Sequence, residues 1–284
     1  MAALGAGPVV VIGLGAIGGS LALALRRREV PVRGYDLDPE DRRRATAAGI
    51  DVPQGEEPTR ELLADAAAIV IAVPIESVAA VAAAVLPHAP VAALVLHVAS
   101  LQRPEALGIR DDLRPRVVGS HPLAGTHRGG FAGADAEMFV GALVFVEARA
   151  DAATRRAAES LWRRVGAGRV EYRSAEDHDA EMAWVSHLPQ LAAIAVAGAL
   201  ADRGTGSDVV GPGGRDTTRL AASPVALWAE ILARAPDDTV AALDALQRRL
   251  AALRDAVAVG DKAGLAREWA AGCAWRRTVA GPAA

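Results

Sequence analysis

The sequence predicts an α/β chain in two parts: a doubly wound parallel sheet over residues 1–173, then an all-helical part over 174–284. Three observations carry this. Short Val/Ile/Leu runs recur at 9–12, 30–35, 69–73, 94–98, 117–119 and 143–147, separated by longer, alanine-rich stretches of helical character. Strands apolar on both faces are those buried between the two helical layers of a parallel sheet. After one more run at 169–172 no strand pattern recurs, and 284 residues that are 52% hydrophobic suffice for two domains with a buried core.

The first strand sits in an apolar start. Residues 1–25 carry no charge and Arg26, Arg27 and Arg28 follow, a profile shared with membrane anchors. Gly5, Gly7, Gly13, Gly15, Gly18 and Gly19 interrupt it and no basic stretch precedes it, so it reads as strand, turn and helix instead. The turn is Gly13-Leu14-Gly15-Ala16-Ile17-Gly18, a G-x-G-x-x-G placed between strand and helix, the context of a dinucleotide site. Gly13 permits the tight turn, Gly15 lets a pyrophosphate approach the backbone, and Gly18 lets the helix pack on the sheet. The amides of Ala16 and Ile17 open the helix, where an anion is favoured.

Asp36 closes the second run, about 20 residues beyond the first glycine, where an acid accepts hydrogen bonds from ribose hydroxyls and repels a 2′-phosphate. NAD is therefore the expected cofactor; Arg33, Arg42, Arg43 and Arg44 keep NADP as the alternative. Val73-Pro74 ends a later run and either flanks the nicotinamide half or simply terminates the strand.

Composition excludes several chemistries. The net charge is −3 without runs of like charge, which speaks against a nucleic-acid or polybasic membrane surface. Cys273 is the single cysteine and no zinc-type Cys/His spacing occurs, so neither an internal disulfide nor a metal site is expected, and a reducing, cytoplasmic setting fits. Lys262 is the only lysine, which removes Schiff-base catalysis and a P-loop.

Two polar features follow strand ends, where open α/β sheets place their chemistry: Ser100 after 94–98 and His121 after 117–119. Each alone reads equally as a helix cap or a packed histidine. In the helical part, Ser174 opens a helix through a Ser-Ala-Glu-Asp sequence in which Asp177 stands for the usual glutamate. His187 precedes Pro189 inside an apolar helix and reads as satisfying that break, and Arg219 reads as a surface ion pair. Loops are expected around 204–207 and 211–214, a helix stop at Ala235-Pro236 and a frayed tail at 281–284. Leu243, Leu246, Leu250, Leu253 and Val257 form one helical stripe, read first as an ordinary core helix and otherwise as a subunit interface.

The strings GLGAIGGSLA (13–22), GSHPLAGTHRGGF (119–131), SHLP (186–189) and GGRDTTRLAASP (213–224) together resemble the prephenate/arogenate dehydrogenase family of tyrosine biosynthesis. That resemblance implies a Rossmann domain joined to a helical dimerisation domain, a homodimer, and NAD(P)-dependent oxidative decarboxylation of a cyclohexadiene in the cleft between domains. By matching position, His121 accepts the proton of the ring 4-hydroxyl, Ser100 orients that hydroxyl, Arg219 holds a carboxylate and His187 shapes the pocket. A neutral imidazole with a pKa of about 6.5 suits the first role, and a planar guanidinium the third.

The chain departs from the family pattern in three places. Where Asp-x-Gly-Ser-x-Lys is common, it has His97-Val98-Ala99-Ser100-Leu101-Gln102; where a second histidine follows Ser-His-Leu-Pro, it has Gln190; and Thr126-His127-Arg128 replaces a common Glu-Lys. Gln190 and Thr126 are expected to face the substrate. An uncharged Gln190 grips a pyruvyl carboxylate less than a protonated histidine, so arogenate and the 4-amino analogue of prephenate stand beside prephenate as substrates. A catalytically silent dinucleotide-binding scaffold is the non-enzyme alternative, motivated by the altered surroundings of Ser100.

Overall fold

The computed structural model describes residues 5–53, 60–126 and 128–279, with the side chains of Ser207 and Pro236 left aside. The first four residues, His127 and the tail at 281–284 lie outside the described residues. In chain order the elements begin β1 (Val9–Ile12), α1 (Ala16–Arg27), β2 (Val32–Tyr35), α2 (Pro39–Ala47), α3 (Arg60–Leu63), β3 (Ala68–Ile71) and α4 (Val78–Val85). There follow β4 (Leu94–His97), α5 (Pro104–Leu107), β5 (Val118–Pro122), β6 (Leu143–Glu147), α6 (Ala152–Arg164) and β7 (Arg169–Arg173). The remainder is helical: α7 (Ala175–Met182), α8 (Leu188–Asp202), α9 (Pro212–Thr218), α10 (Val225–Arg234), α11 (Pro236–Ala258) and α12 (Lys262–Val279).

The seven strands form one sheet in the order β2-β1-β3-β4-β5-β6-β7. Alternation along β1 divides the core in two. Val9 and Val11 pack with Leu21, Leu25 and Trp162 on one face, whereas Val10 and Ile12 pack with Leu63, Val78 and Leu101 on the other. Both faces are therefore covered, as continuous apolar runs require.

One feature of the sheet differs from the expected all-parallel arrangement. The strand expected at 117–119 continues to Pro122: its start pairs parallel to β4 (His97↔Gly119) and its end pairs antiparallel to β6 (His121↔Phe145). His121 thus sits within a strand and not in the loop after it, and Trp162 Nε1 donates to its neighbour Ser120 Oγ at 2.5 Å, fixing the strand from behind.

In the helical part, α7 and α8 are joined by one wide turn over Ala183–His187 with i→i+5 pairing. Pro189, lacking an amide hydrogen, follows at the second residue of α8, where the turn leaves an unpaired amide position in any case. The glycines at 211–214, expected as a loop, instead start α9, because Pro212 supplies the fixed φ of a first helical residue.

The leucine stripe also differs from its first reading. Along α11, Leu250 is 55% exposed and Val257 65%, while the buried residues are the small Thr239, Ala242 and Ala256. The stripe is not core within this chain. The continuous helical segment Ala175–Asp202 is long and apolar enough to cross a membrane by length and composition alone, with only 22% of its apolar window buried.

Candidate active site

The glycine loop takes the shape its spacing predicts. Gly13 has φ +93°, and a Cβ there would lie 2.4 Å from Ala72 O; one on Gly18 would lie 1.9 Å from Gly13 O. Gly15 is different, for a Cβ there would meet nothing within 4 Å. Backbone is thus packed at the first and third glycines and open at the second, the place where a ligand approaches. Ala16 and Ile17 begin α1, whose N-terminal residue makes no side-chain cap bond.

The Asp36 carboxylate closes this loop, accepting from Leu14 N at 2.5 Å and Asp38 N at 2.8 Å. Its remaining lone pairs are available to ribose hydroxyls. Three of the four arginines that favoured a 2′-phosphate are engaged by carboxylates, Arg33 with Asp65 at 2.6 Å and Arg43 and Arg44 with Glu40, whereas Arg42 stays beside Asp36 and donates to its carbonyl oxygen at 2.8 Å. Val73 and Pro74 continue β3 past this loop, with Val73 Cγ1 only 3.1 Å from the position of a Cβ on Gly13.

Beyond the carboxyl ends of β4 and β5 lies a cavity of about 280 Å³. Ser100 and His121 line it from the sheet, Ser186 and His187 from the wide turn, and Met182, Trp228 and Ile231 supply apolar wall. Sequence reasoning placed Ser100, His121 and His187 together, and the fold brings all three to this cavity. No acidic or basic residue other than the histidines lines it among the described residues.

Three expected substrate contacts lie elsewhere. Gln190 is buried but spends its amide inside the protein: Nε2 donates to Leu220 O at 2.7 Å, and Oε1 accepts from Ser223 Oγ at 3.3 Å. It fastens the turn that carries Arg219 and does not line the cavity. Thr126 is exposed, its Oγ1 accepting from Arg128 N at 3.2 Å. Arg219 is exposed, without an ion-pair partner among the described residues, and its side chain does not line the cavity of its own chain.

The structure adds two residues that sequence reasoning missed. His121 Nδ1 lies 2.9 Å from His178 Nε2, and His178 Nδ1 lies 2.7 Å from Asp179 Oδ1. Asp179 also accepts from the amides of Gln102 and Arg103 at 2.8 and 2.9 Å, tying the segment after Ser100 to α7. The adjacent His-Asp three residues into a capped helix was the available signal, hidden because a helix start enriched in acids needs no further explanation.

Electrostatics keep the site neutral. Burial, reinforced by His178, His97 and His187, pushes His121 down to about 3; burial likewise holds His97 near 4, although the Asp179 charge opposes it. His187, shifted down by burial, is 3.0 Å from Thr239 Oγ1 through Nδ1. At neutral pH His121 is an uncharged proton acceptor.

Comparison with known proteins matches this arrangement to one family. The sequence model described as prephenate dehydrogenase, nucleotide-binding domain, matches residues 21–171, and that described as prephenate dehydrogenase, dimerization domain, matches residues 174–270. The chain belongs to the prephenate dehydrogenase family. It is an oxidoreductase of the type used in tyrosine biosynthesis, and its first half is the family's nucleotide-binding domain. The glycine loop precedes the matched segment, so its assignment rests on the geometry above.

Among family relatives, a cyclohexadienyl dehydrogenase from Zymomonas mobilis is 30% identical over 89% of this chain and 89% of its own. A probable prephenate dehydrogenase from Streptomyces niveus is 34% identical over 89% of this chain and 70% of its own. The fold is shared with a prephenate dehydrogenase from Aquifex aeolicus solved with hydroxyphenyl propionate and NAD+ (TM-score 0.87, 24% identity, 97% and 99% of the two chains). It is shared also with an arogenate dehydrogenase from Synechocystis (TM-score 0.79, 26% identity, 95% and 98%).

Proposed function

We propose that this chain converts prephenate to 4-hydroxyphenylpyruvate and carbon dioxide with NAD, as a cytoplasmic homodimer in which residues 1–173 hold the cofactor and 174–284 supply substrate and subunit contacts. The observation that carries this reading is the cavity shared by Ser100, His121 and His187, from both halves of the chain, beyond the sheet edge that bears the glycine loop. Gly13, Gly15, Ala16, Ile17, Gly18, Asp36, Val73 and Pro74 would hold NAD, which supplies a hydride acceptor when bound. The engagement of Arg33, Arg43 and Arg44 by carboxylates supports NAD over NADP.

His121 receives the 4-hydroxyl proton as the hydride leaves the same ring carbon. Ser100 orients that hydroxyl. The electron pair of the breaking carbon–carboxylate bond then enters the ring, carbon dioxide departs, and the proton returns to the oxygen as the ring becomes aromatic. Charge balances without release of a proton, so His121 needs only to hold it for the duration of the step.

Among the described residues the cavity lining holds neither a carboxylate for the ammonium of arogenate nor an arginine or lysine for the carboxylates of prephenate, and what supports prephenate is the match to the prephenate dehydrogenase models over both halves of the chain. The engagement of Gln190 by Leu220 and Ser223 weakens the ground on which Gln190 suggested arogenate. Arg219 is the cation proposed to hold a substrate carboxylate, reaching it on closure of the cleft or from the second subunit. Purified protein assayed with prephenate, arogenate and the 4-amino analogue, each with NAD and NADP, tests the reading. Turnover of prephenate with NAD at kcat/KM at least about tenfold above the other pairs is expected, and preference for any other pair overturns it.

A further inference from the structure

We propose that His178 and Asp179 form a positioning pair that fixes which nitrogen of His121 carries hydrogen and sets the Ser100 segment in register with it. The inference rests on His121 being the proton acceptor of the proposed reaction. Neither member lines the cavity, and both are almost wholly buried, at 1% and 2% exposure.

The chemistry follows from donors and acceptors alone. An ionised carboxylate only accepts, so the 2.7 Å contact with Asp179 requires the hydrogen of His178 on Nδ1. In an imidazole that carries one ring hydrogen, that leaves His178 Nε2 as a lone pair. The 2.9 Å contact with His121 Nδ1 then requires the hydrogen of His121 on Nδ1. Nε2 of His121 is the nitrogen left bare, and His121 lines the cavity. A free imidazole favours the opposite tautomer, which would present a donor to the substrate hydroxyl instead of an acceptor.

The pair also answers the charge that arrives with the proton. His121 faces His178 from α7, His97 from β4 and His187 from the wide turn, and Asp179 stands behind His178. Asp179 is the one anion of this set. A hydrogen on His121 Nδ1 pulled toward His178, and the hydrogen of His178 pulled toward Asp179, spread the new positive charge toward that carboxylate. His178 and Asp179 are sealed from solvent, which suits a proton that is held on His121 and then returned. Asp179 accepts from the amides of Gln102 and Arg103 as well, so one carboxylate positions both the acceptor imidazole and the segment that carries Ser100.

The alternative is that His178 is a packing residue, edge-on to Phe145 at 5.1 Å. The test compares His178→Gln, whose amide oxygen still accepts from His121 Nδ1, with His178→Phe, which cannot. Histidine side-chain ¹⁵N NMR of the full chain reports the tautomer, and kcat and KM with prephenate and NAD report its use. We expect the unsubstituted protein and the Gln variant to show His121 protonated on Nδ1, with kcat of the Gln variant within about tenfold. The Phe variant should populate Nε2–H and lose about 100-fold in kcat, with KM within about threefold. His121 protonated on Nε2 in the unsubstituted protein, equal impairment of both variants, or a folded Phe variant of undiminished kcat would overturn the pair. Should the Phe variant not fold, the Gln variant decides: Nδ1–H with kcat within about tenfold supports the pair and any other result overturns it. The Nδ1–H signature in a protein inactive on prephenate supports the pair while removing the proposed reaction.

Discussion

The sheet half and the helical half bury their apolar residues to different extents. In β1, β3 and β4 nearly every side chain is sealed within the chain, whereas α11 and α12 leave Leu250, Val257, Trp269 and Trp275 largely exposed, the last two at 72% and 66%. One half completes its core alone. The other presents an apolar surface of the kind that monomers rarely carry, and the family match assigns it to a dimerization domain. The proposed chemistry divides in the same way: His121, the proposed acceptor, stands on a strand of the sheet half, and Arg219, the proposed carboxylate clamp, stands on the helical half.

The largest effect should come from His121→Asn. Loss of the acceptor should lower kcat about 1,000-fold with NAD affinity unchanged, measured by steady-state kinetics and cofactor titration. Comparable kcat would move the chemistry out of the sheet half.

Acid lability should also belong to the sheet half. His97 and His121 have depressed folded values, about 4 and 3, against about 6.5 when unfolded, so the unfolded chain binds more protons as pH falls. The stability they support is present above pH 6.5 and lost as pH falls toward 4. Urea melts should show a loss of roughly 4 kcal/mol between pH 6.5 and 4.5, and His97→Asn should flatten that slope. A pH-independent midpoint would contradict the burial of these rings.

Two leucines separate the halves directly. Leu96→Ala in β4, where the side chain is fully buried, should cost about 3 kcal/mol in denaturant melts and leave the subunit equilibrium alone. Leu250→Glu should do the reverse, leaving each chain folded and raising the dimer dissociation constant about 100-fold by light scattering or ultracentrifugation. A monomer before substitution would break the comparison.

The smallest effect is expected for Arg219→Ala. KM for prephenate should rise about tenfold with kcat nearly retained, because a carboxylate clamp contributes to binding in ground and transition states alike.

Most of the fold was legible because it is local. Val-Val-Val-Ile apolar on both faces admits little but a buried strand, and Gly13, Gly15 and Gly18 are spaced as a strand–turn–helix requires. The sense of β6 was not legible, since apolar pattern fixes burial and not strand direction. The stripe on α11 was legible as a stripe, but a buried face looks the same in sequence whether covered by its own chain or by another. At the site, His121, Ser100 and His187 were visible as polar residues beside strand ends or a helix-breaking proline. Gln190 was misplaced because its partners, Leu220 and Ser223, come from a distant turn, and His178 was overlooked because a buried histidine in a polar helix start leaves no trace in periodicity.

The wide turn at Ala183–His187 links these observations. A single surplus residue in an otherwise continuous rod rotates everything after it by roughly a quarter revolution relative to what precedes it. The orientation of His178 at one end and the apolar flank of α8 at the other are therefore phased against each other by one amino acid. Shortening the turn by one residue ahead of Ser186 would leave the Ser-His-Leu-Pro string intact yet aim the exposed flank in a new direction, so subunit docking and pocket shape are set by the same turn.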